Sequence, residues 1–188
     1  LLVVENPATS SPGLAFMMAT IAEFGESGWL AWWKSMKNNN AAIVSDWETA
    51  YYTNFSGSSG KGPQPMVVSY ASSPAAELIF AETELSESPT ASLVSPGMCW
   101  RQVEFAGILK NTPNRALAEK FINFMLSKEF QEDVPMQMFV FPVLPEAVLP
   151  EEFLLASQIP ETVGSLDPAL IAANRDGWVN EWTNLMFK

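Results

Sequence analysis

Histidine is absent from this chain of 188 residues. That excludes Ser-His-Asp and Cys-His catalysis, His-ligated zinc and histidine acid-base chemistry within the chain. Cysteine is nearly absent: Cys99 stands alone, so no internal disulfide framework exists. Without a histidine to activate it, Cys99 reads as a structural thiol rather than a nucleophile. Basic residues are scarce, 10 Lys+Arg against 21 Asp+Glu, for a formal net charge of -11. Nucleic acid is therefore not an expected partner, since phosphate contacts need clustered Lys and Arg. No apolar run approaches the roughly 20 residues needed to span a bilayer. The front carries neither an initiator Met nor a basic-then-apolar leader. The chain opens in a strand-like run and reads as a processed or truncated piece of something longer.

What is present is an apolar chain, 48% hydrophobic and 16% charged, with ample material for a core. Two stretches share one design. Leu1-Leu2-Val3-Val4 runs through Glu5-Asn6-Pro7-Ala8-Thr9 into Ser10-Ser11-Pro12-Gly13, and Met66-Val67-Val68-Ser69-Tyr70 runs into Ala71-Ser72-Ser73-Pro74. Each reads as a buried strand delivering hydroxyl residues to a helix start, where serine caps and proline fits the first turn. Free N–H groups and the positive end of the helix dipole face whatever lies beyond each tip. Between them, Ala41–Val44 reads as a short strand, and Ser45-Asp46-Trp47-Glu48 fits the capping-box spacing. That places Trp47 in the first turn of a helix, near a strand tip.

Helical spacing predicts a helix from Ser11 to about Gly25 and a second from about Ser27 carrying Trp29, Trp32 and Trp33. Tryptophans at this spacing read as core rather than as a ligand box. Gly57–Pro63 is a glycine-rich surface turn, because Pro63 stands where a phosphate-loop lysine would be needed. Met66–Tyr70 is expected as the central strand, with a helix from Ser73 to about Ala81. Ala91–Ser95 is a candidate strand and Cys99–Lys110 a long extended segment. Helices follow after Thr112-Pro113, with Leu117, Phe121, Ile122 and Met125 on one stripe, and over Ser127–Asp133. Pro142, Pro145 and Pro150 mark irregular chain. A closing helix starts at Asp167-Pro168. Alternating strands and helices predict an α/β fold with a largely parallel sheet.

Several blocks together carry a resemblance. Val4–Gly13, Asp46–Tyr51, Val68–Pro74, Gln102-Val103-Glu104, Phe121–Gln131 and Ala172–Trp182 resemble, in order and spacing, the thiamine-binding substrate-binding proteins of ABC transporters. The resemblance spans nearly the whole chain. It departs at Ala76, where a member of the family carries an aromatic, and in the loop from Thr53 to Pro65, which is longer and richer in glycine.

The resemblance implies the second lobe of a two-lobed periplasmic binding protein of the second structural type. It divides the chain into an α/β core at 1–98, a hinge or crossover strand at 99–110, and a helical part at 111–188. The N-terminal lobe would then be absent. It implies a non-catalytic extracytoplasmic receptor, periplasmic or membrane-anchored, that hands thiamine or its phosphates to a membrane permease without a cofactor. An anion, a metal ion or a polyamine is the alternative solute, and a thiamine-phosphate enzyme a more distant one. Carried onto this chain, the resemblance puts Trp47 and Tyr70 in the cleft as aromatic walls. Ser10 and Ser11 fall near the hydroxyethyl or phosphate end, and Ser72 and Ser73 are further contacts. Glu48 and Glu104 are the candidate counter-charges for a thiazolium. A lone lobe is expected to bind weakly and to self-associate through uncovered apolar surface.

Overall fold

The computed structural model describes residues 1–59 and 61–188, with Ser58 and Ser59 described by backbone alone. It groups the chain into two compact units. The first comprises Leu1–Ala71, Leu93–Gln102 and Ile159–Lys188, the second Ser72–Ser92 and Val103–Gln158.

The first unit is built on a parallel sheet of strands β1 (Leu2–Glu5), β2 (Ala42–Val44) and β3 (Met66–Val67), in the order β2-β1-β3. Val3 faces Ala42 on one side and Val67 on the other. The central strand is thus β1, and Met66–Tyr70, expected at the centre, supplies only a two-residue edge. The burial explains why: Val3, Val4 and Glu5 are fully buried, whereas Met66 is 40% exposed. A strand buried on both faces belongs in the middle of a parallel sheet.

Helix α1 spans Ser11–Asn38 with a break at Gly25, whose φ of 68° and ψ of 168° are non-helical. This backbone region is open essentially to glycine alone. The two expected helices are therefore one element folded at Gly25. The fold brings Trp29 and Trp33 onto Met17, Ile21 and Val4, against Trp178, Trp182 and Met186 of α8 (Pro168–Phe187). Trp33 meets Trp182 edge to face at 5.3 Å and donates its indole N–H to Thr20 Oγ1 at 2.9 Å. The tryptophan stripe is core. Asp167 caps α8 by accepting from the Ala169 amide at 2.8 Å, as its Asp-Pro start predicts.

After β2, the turn α2 (Trp47–Thr49) runs into a π-helical turn over Ala50–Asn54 and a short α3 (Ser56–Ser59). The Gly57–Pro63 turn contains Gly60, which lies outside the described residues. Among the described residues neither Ala91–Ser95 nor Cys99–Lys110 forms a strand; the second contributes one bridge, Trp100 to Gly164. Extended chain becomes strand only with a partner, and Val103 and Phe105 stand 50% and 91% exposed.

The second unit holds α4 (Ser73–Ile79), α5 (Arg115–Met125), α6 (Lys128–Met138) and α7 (Glu151–Ala156). Helix α6 outruns the expected Asp133 by passing through a buried Pro135 and ends at Phe139 in the left-handed region. Helix α7, in chain expected to be irregular, seats Phe153 edge-on against Phe141 at 5.9 Å. The apolar stripe of α5 is real but buries none of its residues.

Candidate ligand site

In an open parallel sheet every strand ends at the same edge, and ligands bind beyond the carboxyl ends. Here three consecutive tips meet there. The β1 tip leads through Asn6–Ser10 into α1, the β2 tip through Ser45-Asp46 to Trp47, and the β3 tip through Val68-Ser69 to Tyr70.

The first tip is a tight turn. Asn6 accepts from the Ala8 amide through Oδ1 at 2.9 Å and from the Ser10 amide through its carbonyl at 3.0 Å. Thr9 Oγ1 donates to the Ser45 carbonyl at 2.6 Å, tying this turn to the next. Ser10 is the N-cap of α1, but its side chain makes no capping bond. Ser11 is exposed and borders a cavity of about 220 Å³ with Leu14, Ala15, Met18, Trp100 and Gln102. Both hydroxyls therefore sit at the open start of the helix. Gly13 makes the approach feasible: a Cβ there would lie 2.3 Å from the Glu5 carbonyl oxygen.

At the second tip the cap is Asp46 rather than Ser45. Its Oδ1 accepts from the Thr49 amide at 2.8 Å, and the Ser45 hydroxyl donates to its Oδ2. The Ser45 hydroxyl, then Thr49 through backbone and side chain, hold the Asp46 carboxyl below its ordinary value of 3.8. It is an anion at neutral pH. Glu48, read as the last residue of a capping box, is exposed and takes no part in the cap.

Trp47 is fixed by its indole N–H, which donates to Ser69 Oγ at 2.8 Å. Tyr51 stacks on it at 4.8 Å with 22° between planes, Tyr52 meets it edge-on at 5.5 Å, and Tyr70 lies 6.0 Å away at 57°. Tyr51 is buried, whereas Tyr52 and Tyr70 are 56% and 42% exposed. Trp47 and Tyr70 are thus neighbours. Tyr51, Tyr52, Ser69 and Asp46 complete the group, and sequence reasoning missed them as site residues. The signal was there: Tyr51 and Tyr52 follow Trp47 at four and five residues, the spacing of one wide helical turn.

Ser72 and Ser73 belong to the second unit. Ser72 is 3% exposed and its hydroxyl donates to the Phe139 carbonyl, while Ser73 opens α4. Glu104 is exposed on extended chain. Cys99 is half-buried, and burial raises its thiol above the ordinary 9.0, which suits a structural role. Among the described residues, no three Cys, Asp or Glu side chains are grouped to hold a metal ion, and no helix is long and apolar enough to cross a membrane.

A parallel α/β unit that presents a fixed aromatic group and a helix start at one strand edge has the form of a ligand-binding lobe. The family can be stated outright: the chain belongs to the bacterial extracellular solute-binding proteins, whose family model matches residues 1–155. It is 31% identical over 182 residues to the thiamine-binding periplasmic protein of Brucella suis biovar 1 (strain 1330), covering 96% of this chain and 51% of that protein. It is equally 31% identical over 181 residues to the thiamine-binding periplasmic protein of Escherichia coli (strain K12), covering 96% and 52%. Among solved structures, a periplasmic thiamin binding protein superposes with a TM-score of 0.75 at 26% identity, over 100% of this chain and 55% of that one. The chain spans about half the length of the curated relatives it matches.

Proposed function

We propose that this chain is the second lobe of a non-catalytic, periplasmic thiamine receptor that serves an ABC permease. The observation that carries the reading is Trp47, anchored by Ser69 and flanked by the exposed rings of Tyr52 and Tyr70. Thiazolium is a flat, delocalised cation, and indole and phenol faces attract cations while stacking on flat rings. Ser10 and Ser11, at the start of α1, suit the hydroxyethyl or phosphate end, so thiamine phosphates are ligands of the same site. The relatives are named as thiamine-binding proteins, and that supports the ligand.

In this reading residues 99–110 cross between lobes, and closure of two lobes on the solute is the signal the permease reads. Half the cleft gives this chain weak affinity on its own. The open face of α5, with Leu117 67% and Phe121 57% exposed, gives it a tendency to self-associate, which sedimentation velocity across a concentration series measures.

The test is substitution in a two-lobed form, made by joining this chain to the N-terminal half of a relative. Trp47→Ala and Tyr70→Ala are each expected to cost about 1–3 kcal/mol of thiamine affinity, by analogy with bases stacked on aromatic side chains. Unchanged affinity in both variants would overturn the aromatic site and favour an anion held by the helix start.

A further inference from the structure

Glu5 ends the central strand, and no solute-binding role accounts for it. Its side chain is fully buried, and neither carboxylate oxygen has a hydrogen-bond partner among the described residues. A buried, unpaired carboxylate is too costly to keep ionised, so it must hold its proton or gain water. The first turn of α1 lies directly on the backbone and Cβ of Glu5: a Cβ on Gly13 would stand 3.1 Å from the Glu5 Cβ. The Asn6–Ser10 turn follows immediately. That turn is closed by the Thr9 and Ser10 amides on the Asn6 carbonyl and by Thr9 Oγ1 on Ser45.

Among the described residues, the charged group that acts on this carboxyl is Asp46. The elements that pack most closely on β1 are α1, whose Met17 and Ile21 cluster with Val4, the strands β2 and β3, and the π-helical turn. Residues Ser11–Ala22, Ala42–Val44 and Met66–Val67 carry no ionisable side chain, and the charged residues of α1 are Glu23, Glu26, Lys34 and Lys37, further along the helix. The link after β2 brings Asp46 and Glu48, and the π-helical turn brings only the phenols of Tyr51 and Tyr52. Asp46, an anion, adds repulsion.

We propose that Glu5 is a proton-operated latch on the Asn6–Ser11 segment. Protonated, it lets the segment close over the end of β1; ionised, it draws in water and opens the segment. Burial first, with Asp46 adding and the residue's own amide opposing, raises the Glu5 carboxyl from 4.5 to about 7. The closed form therefore holds the proton more tightly than the open one. Opening grows as pH rises from 4.5 and levels off above 7, a change of about tenfold between pH 6 and pH 8. Ser10 and Ser11 ride on this segment, so a latch would make the proposed solute site pH-dependent. That consequence rests on the proposed function; the latch itself does not.

Amide hydrogen exchange on this chain tests it without any ligand, across pH 5 to 8.5 and corrected for intrinsic chemistry. Protection of the Ser10 and Leu14 amides, bonded to Asn6 and Ser10, is expected to fall about tenfold from pH 6 to pH 8. The opening free energy read at these two amides is expected to lie below that of global unfolding measured by denaturation at the same pH, and Glu5→Gln to abolish the pH dependence. An opening free energy equal to that of global unfolding, or an unchanged slope in Glu5→Gln, would overturn the latch. Should that variant not fold, carbon-detected NMR titration of the wild-type Glu5 carboxyl decides. A midpoint matching the loss of protection supports the latch, and a midpoint at the ordinary 4.5 overturns it.

Discussion

At the scale of single residues, the polar groups inside the core set the sharpest expectations. Thr20 is 4% exposed and its hydroxyl both donates to the Met17 carbonyl and accepts from Trp33. Thr20→Val keeps the shape and strands the indole N–H. Chemical denaturation should show a loss of about 1–3 kcal/mol, the cost of one buried unpaired donor. Glu5 makes the opposite kind of prediction. Its carboxyl is raised in the folded chain, so the stability it allows is full below about 4.5 and is lost as pH rises to about 7. Glu5→Leu should therefore gain on wild type by up to about 3 kcal/mol on going from pH 4.5 to pH 8, since one pKa unit is worth about 1.4 kcal/mol. Melting curves at both pH values check it; a parallel pH profile would contradict it. Neither group was legible beforehand. Thr20 looked like one more helix residue, and Glu5 like the polar end of an apolar run.

At the scale of elements, the chain was readable wherever local chemistry decides and unreadable where partners decide. The Asp167-Pro168 cap, the interruption at Gly25 and the apolar run of β1 are local signals, and all three elements formed where expected. Which strand is central depends on what packs on both faces, so Met66–Tyr70 misled despite its apolar run. Cys99–Lys110 alternates like a strand but finds a partner only at Trp100. The site was half legible for the same reason. Trp47 and Tyr70 stand out by type, whereas the buried hydroxyl of Ser72 is committed to Phe139, 67 residues away. Two glycines carry the element-scale tests. Gly13→Ala drives a Cβ to 2.3 Å from the Glu5 carbonyl and should cost about 1–3 kcal/mol, as overpacking does, despite alanine's better helix propensity. Gly25→Ala has open space around the new Cβ but the wrong backbone region, and should cost a similar amount, about 1–3 kcal/mol. Thermal denaturation of each variant checks the expected loss.

At the scale of the whole molecule, the sheet edge explains why so few residues define a site. Parallel strands bring residues from 10, 47 and 70 to one boundary, and the anion at Asp46 stands beside the aromatic group. A chain with net charge -11 and no histidine can attract and stack a cation there without catalytic equipment. The account's central claim is that this edge is half of a thiamine cleft. Calorimetric titration of thiamine and thiamine diphosphate, into this chain and into a form extended by a relative's N-terminal half, tests it most directly. The account predicts weak or undetectable heat with the chain alone and saturable binding by the extended form. Tight binding by the monomeric chain alone, or no binding of any thiamine form by a folded two-lobed protein, would contradict it.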